Sequence, residues 1–386
     1  MQADRWFGVG SAREPEHGVG ASVVDEALVG DDPKLLIVLC SESYDLPTLL
    51  REIRTRAGDV PLIGCTTAGE IAASGPTDAG LVVIALGGAG FAVETAYATE
   101  ISQGLREAGA AVARCVALHD DLPYKVLMLL TDGLAGDQRE IVRGAYGVLG
   151  AGVPLVGGCA GDDLKMTGTF QLHGDDVLTD SVVAAGIASS APFGIGVRHG
   201  WRRVGEPMLV TRSAGNRVYT LDDRPALDVY LDRLGLAEPP ADQQALATLA
   251  LMHPLGFDHR GDEELVRYIA GGDFAERSLS GIAEVPQSAL VWVMEGDAES
   301  VLAATDAAAR DSLAALGGLP ALGMIAFDCV ARRGVLGEEG IQAEIDRLAA
   351  HASGAPVAGF YTYGEIARTR GLRGFHNQTL VVLSVA

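Results

Sequence analysis

Pro356-Val-Ala-Gly359, followed by Phe360-Tyr-Thr-Tyr-Gly364-Glu365, is the stretch from which the rest of the sequence falls into order. The spacing occurs twice more. Pro61-Leu-Ile-Gly64 runs into Cys65-Thr-Thr-Ala-Gly69-Glu70, and Pro154-Leu-Val-Gly157 runs into Gly158-Cys-Ala-Gly161-Asp162. The first and third copies agree at Pro-x-x-Gly, at the next glycine, at the glutamate and at the Ile-Ala after it. The second loop is one residue shorter and has aspartate instead.

The repetition extends outward from these loops. Each is preceded by a short apolar run that suits a strand buried on both faces: Leu35-Leu-Ile-Val-Leu-Cys40, Val126-Leu-Met-Leu-Leu-Thr131 and Met324-Ile-Ala-Phe-Asp-Cys329. Between run and loop lies a helical stripe, marked by Leu46, Leu49, Leu50 and Ile53, by Ile141, Ala145, Val148 and Leu149, and by Ile341, Ile345, Leu348 and Ala349. A further strand follows each loop, at residues 81–86, 182–187 and 380–385. Gly87-Gly-Ala-Gly90 turns the first of these into a strand at 91–97. Residues 199–210 carry several charges, and 216–224 suit a turn-rich crossing. A helix is expected at 225–234, a loop at 236–240, and strands at 265–269 and 289–294.

The expected fold is α/β, with two domains of mixed sheets flanked by helices and built from repeated strand–helix–strand units. The domains would be a lead-in at 1–30, a two-unit domain at 31–216 and a one-unit domain at 217–386.

The loop has a physical logic. Proline ends the helical segment and biases its predecessor toward extended backbone. Glycines at a strand end let several N–H groups face one concavity, which suits a carboxylate. Glu70, Asp162 and Glu365 would then receive a cation or ammonium group, with Thr66, Thr67 and Thr362 as neutral partners. A structural role competes on equal terms, because an acid after a turn also caps a backbone N–H.

The chain has 386 residues with 29 Lys and Arg against 51 Asp and Glu, a formal charge of −22. That balance opposes nucleic-acid and anionic-lipid partners, which need a positive face. Five cysteines, odd in number and without a Cys-x-x-Cys pair, suit reduced thiols in a cytoplasmic protein. The first thirteen residues lack the apolar core of a secretory signal. The longest uncharged stretches are too short and glycine-rich to span a bilayer. His253 and His259 do not have a standard metal spacing. Phosphate-loop, serine-elbow and His-Glu-x-x-His signatures are absent, and no cofactor or metal is expected.

These residues resemble the FIST family, a sensory input module of signal-transduction proteins. The N-terminal part is carried by 61–70 and 154–163. The C-terminal part is carried by Arg217-Val-Tyr-Thr-Leu-Asp-Asp-Arg-Pro-Ala-Leu-Asp-Val-Tyr230, by 356–366 and by Phe375-His-Asn-Gln-Thr-Leu380. The resemblance implies binding of a small ligand, an amino acid or similar metabolite, and signalling through a separate partner protein. A branch of the family associated with haem and nitric oxide makes a gas sensor a minor alternative, although no haem histidine is specified here.

The expected pocket lies where the loops converge. Asp328, Arg332 and Arg333 follow the third unit's first strand, where α/β sheets present ligand groups. Arg332, with Arg267 as a second cation, would pair a carboxylate, and Glu365 or Glu70 an ammonium. Tyr361, Tyr363, His376 and Asn377 complete the candidate set, since only the third copy carries them. An enzyme using the acids with His376, a hydrolase or transferase, is the alternative. A scaffold with an exposed apolar patch is a third reading.

Overall fold

The structure, a computed structural model, describes residues 5–73, 75–116, 121–236, 240–258, 264–369 and 374–386. The chain is 30% helix and 39% strand, and belongs to the mixed α/β class. The expected strands and helices of the three units form, but each unit is longer than the repeated stretch.

Unit 1 runs β1 (Trp6–Ala12), α1 (Val19–Ala27), β2 (Pro33–Cys40), α2 (Leu46–Ala57), β3 (Leu62–Thr66), β4 (Glu70–Ala72) and β5 (Leu81–Gly87). Unit 2 repeats it with β6 (Phe91–Thr99), α3 (Leu105–Val112), β7 (Tyr124–Thr131), α4 (Arg139–Leu149), β8 (Leu155–Cys159), β9 (Gln171–His173), β10 (Asp176–Leu178) and β11 (Ser181–Ser189). Unit 3 opens with β12 (Phe193–Arg198) and is then interrupted by an insert. The insert comprises β13 (Arg202–Ala214), β14 (Arg217–Leu221), β15 (Arg224–Pro225), α5 (Ala226–Leu234), α6 (Gln243–Met252), β16 (Leu255–Asp258), β17 (Glu264–Arg267), β18 (Ile269–Asp273), β19 (Ser278–Gly281) and β20 (Leu290–Glu295). The unit resumes with α7 (Ala298–Ala314), β21 (Gly323–Cys329), α8 (Val330–Ala352), β22 (Val357–Thr362), β23 (Glu365–Arg368), β24 (Phe375–His376) and β25 (Leu380–Val385).

Three sheets share one plan: β1-β5-β2-β3-β9-β10, β6-β11-β7-β8-β23-β24 and β12-β25-β21-β22-β4. In each, an edge strand pairs with the unit's last strand, then the first and second strands follow in parallel. The place beyond them goes to a short strand donated by another unit. Unit 1 gives β4 to unit 3, unit 3 gives β23 to unit 2, and unit 2 gives β9 to unit 1. The exchange is cyclic, so the units interlock about a pseudo-threefold axis. Inner faces of all three sheets form one core containing Leu35, Ile37, Met128, Leu130, Ile325 and Phe327.

The glycine of Pro-x-x-Gly is explained by this packing. Gly64, Gly157 and Gly359 lie opposite Val38, Leu129 and Ala326 on the parallel neighbour, and a Cβ would meet that residue's carbonyl oxygen well inside van der Waals contact. Gly194 and Gly196 on β12 have a related task, since a Cβ there would strike the α7 backbone.

The insert has its own sheet and core, including Met208, Val218, Leu227, Tyr230, Phe257 and Val291. Packing groups unit 3 with units 1 and 2, and gives the insert a core of its own. The charged stretch after His199 and the stretch expected to be a turn-rich crossing form β13 and β14, one antiparallel pair with bulges. Val148 and Ala349, expected on buried stripes, are exposed; Val142 and Glu344 are buried instead.

Candidate functional site

The repeated loops meet through backbone hydrogen bonds. Tyr361 N donates to Gly69 O (2.8 Å), Cys159 N to Gly364 O (2.8 Å), and Thr66 N to Phe170 O (2.9 Å). The candidate Thr66 holds this seam closed, its hydroxyl accepting from Phe170 N at 3.0 Å.

Each acid is consumed by its surroundings. Glu70 accepts from Thr67 Oγ1 (2.6 Å), Thr77 Oγ1 (2.8 Å) and Gly80 N (2.9 Å), tying its loop to the start of β5. Glu365 accepts from Thr362 Oγ1 (2.5 Å) and Thr379 N (3.2 Å), tying the third loop to β25. Burial pushes Glu70 up to about 7 and Glu365 to about 8, against the bonds they accept. Asp162 accepts from Tyr363 Oη and from the amides of Met166 (3.0 Å), Thr167 (2.6 Å) and Gly168 (3.1 Å). Burial alone would raise its carboxyl, but these bonds outweigh it and hold it below the usual range.

Asp328 and Arg332 form a second group. Arg332 is fully buried, and donates to Asp328 Oδ1 (2.6 Å), Glu344 Oε1 (2.6 Å), Thr305 Oγ1 (3.0 Å) and His199 O (3.0 Å). Burial, with Glu344 beside it, raises Asp328 well above its ordinary value despite Arg332. Tyr361 lies buried with its ring beneath the Arg333 guanidinium at 5.0 Å. His376 is half-buried, with Nε2 3.0 Å from Ala367 O, and Asn377 Nδ2 donates to His376 O (2.7 Å). His259 lies outside the described residues.

Arg267 lines the first of two relevant cavities, and Arg333 lines the second. The first is a cleft of about 450 Å³ between α4 and the insert. Arg139, Val142, Arg143 and Tyr146 come from α4; Phe257, Arg267, Glu284 and Pro286 from the insert; and Gly374 and Phe375 from the third unit. Arg267 is nearly buried, its guanidinium 5.3 Å from the Phe257 ring centroid and bonded to Val266 O at 3.0 Å. Arg139 bridges Asp137 and Glu284. Three guanidinium groups, one carboxylate and aromatic walls thus share one concavity. Sequence reading missed all of the lining but Arg267. The available signal was Arg139, Arg143 and Tyr146 at i, i+4 and i+7, one polar-aromatic face of α4. The second cavity, about 510 Å³, lies at the loop convergence between Ala68, Asp78, Asp163 and Leu164 on one side and Val330, Arg333, Gly334, Gly337 and Glu338 on the other.

Comparison with known families matches residues 34–224 to the FIST N domain and residues 226–368 to the FIST C domain. The chain belongs to the FIST family. FIST domains are sensory modules of signal-transduction proteins. An uncharacterised protein of Mycobacterium tuberculosis, found in two strains, is 27% identical over 388 residues, covering 97% of each chain. An uncharacterised Methanocaldococcus jannaschii protein is 32% identical over 114 residues, 27% of this chain and 22% of that protein. The join between the FIST N and FIST C matches falls inside the insert, so residues from both matches line the cleft. Among the described residues of this FIST protein, no helix is long and apolar enough to cross a membrane.

Proposed function

We propose that this FIST protein senses a small carboxylate ligand, an amino acid or related metabolite, in the cleft between α4 and the insert, and signals through a separate partner protein. The observation carrying this reading is the cleft's chemistry: Arg139, Arg143 and Arg267 with Glu284 against Tyr146, Phe257 and Phe375. A guanidinium takes a carboxylate through paired N–H donors. Glu284 is the complementary group for an ammonium, and the aromatic faces suit an apolar side chain. Arg332 serves elsewhere, since its donors are committed to Asp328, Glu344, Thr305 and His199.

A thermal-shift screen of amino acids and simple carboxylates tests the proposal. A ligand present at 100 times its Kd stabilises the native state by about 2.7 kcal/mol and raises the melting temperature. Arg267→Ala should abolish the shift while the variant stays folded. If no carboxylate shifts the native protein, or Arg267→Ala responds like it, the cleft is not the ligand site.

A further inference from the structure

The pseudo-threefold provides an internal comparison for the second unit. In unit 1, β3 ends at Thr66 and β4 begins at Glu70; in unit 3, β22 ends at Thr362 and β23 begins at Glu365. In unit 2, β8 ends at Cys159 and β9 begins only at Gln171. The exchange of strands needs no such excursion, since two of the three units make it without one. The extra segment is nonetheless firmly built. Asp162 gathers three of its amides, Tyr363 Oη accepts from Leu164 N at 2.7 Å, and Thr169 Oγ1 donates to Asp132 Oδ1 at 2.8 Å.

This frame holds Leu164 and Met166 in solvent, 62% and 60% exposed, with Leu134 exposed on the loop to which Thr169 is bonded. Leu164 also lines the 510 Å³ groove at the loop convergence. Asp78, Asp163 and Glu338 give that groove its charge, and its lining cation, Arg333, bonds Asp78 and Ala68 O. An apolar ridge beside an acidic groove, on a chain of net charge −22, is complementary to a segment of opposite sign with apolar side chains.

We propose that residues 162–169 and the adjoining groove are the docking surface for a protein partner, which enters with a segment carrying an apolar side chain flanked by Lys or Arg. The surface is separate from the α4 cleft, so it stands or falls without the ligand proposal.

Selection of displayed random peptides on the full-length protein, followed by anisotropy with the recovered peptides, tests it. The expected consensus is basic residues around Leu, Ile or Phe. Binding should weaken at least about tenfold in the Leu164→Ser/Met166→Ser double variant, and also in Asp163→Asn, and should fall with added salt. Arg267→Ala should bind the peptides unchanged. Because Leu164 and Met166 are exposed, the double variant should melt where the native protein does. Three outcomes would overturn the proposal: peptides that bind the double variant equally, a consensus lacking basic residues, or self-association of the protein that the double variant abolishes.

Discussion

The acids that end the repeated loops show how burial, rather than identity, decides what a carboxylate does. Glu365 is fully buried among neutral donors, so its protonated form is favoured and its pKa is raised from 4.5 to about 8. The unfolded chain releases that proton near pH 4.5 while the folded chain retains it. Stability from this group is therefore present below about 4.5 and is lost as the pH rises toward about 8. Urea midpoints measured across that window should decline, and Glu365→Gln should flatten the decline, since a neutral amide can still meet Thr362 and Thr379. A slope unaltered in the variant would assign the effect to other groups. Arg332 is the opposite case, an ion inside a paired cluster. Arg332→Ala leaves Asp328 and Glu344 buried without their cation and should cost about 3–5 kcal/mol by chemical denaturation. The recurrence of Gly-acid was legible in the sequence. Whether the acid faces a ligand or its own backbone depends on the chain at Gly80 and Thr379, which the local pattern does not specify.

The elements divide in a similar way. Strands buried on both faces, such as β2, β7, β21 and β25, have continuous apolar sequences and were legible from them. Of the first strand and helix of each unit, β6 was legible at 91–97, whereas β1, β12, α1, α3 and α7 were not. α7 buries Ala304, Ala308, Ala309 and Ser312 against Gly194 and Gly196, an interface of small residues with little hydrophobic periodicity. β13 is charged because much of it is exposed, and its charges give no strand signal. The exchanged strands β4, β9 and β23 are too short to carry a signal of their own. They pair at the glycines of Pro-x-x-Gly, with Leu172 opposite Gly64, Ile366 opposite Gly157 and Ile71 opposite Gly359. Gly359→Ala would press a methyl group into Ala326 O, and overpacking of this kind costs about 1–3 kcal/mol or more. Thermal melting should show a loss of that size, whereas Gly354→Ala, with no atom near its Cβ, should lose only what its positive φ imposes. Equal losses at both positions would argue against the close strand approach.

At the scale of the whole molecule, the insert is attached through one pair of adjacent strands. Arg202 on β13 lies opposite Glu295 on β20, so the chain leaves and re-enters the three-unit core at nearly the same place. Trp201 plugs this junction, packing with Val266 and Met294 and donating Nε1–H to Gln378 O at 3.0 Å. The core cluster is drawn from the three repeated sheets, while the insert core is drawn from its own strands and helices. The insert closes its own core, and the chain enters and leaves it through this one strand pair, so the insert is expected to be separable although it also touches α4 through Arg139 and Glu284. Replacing residues 202–295 with a short glycine–serine linker should therefore leave a cooperatively folding three-unit body, with its far-ultraviolet circular dichroism reduced by the lost strands. The same variant should lose all carboxylate response, because Phe257, Arg267, Glu284 and Pro286 leave with the insert while the α4 wall stays. Failure to fold would mean that the Trp201 junction and the cleft walls hold the core together. Retained ligand response would move the site away from the cleft and into the body of the three interlocked units.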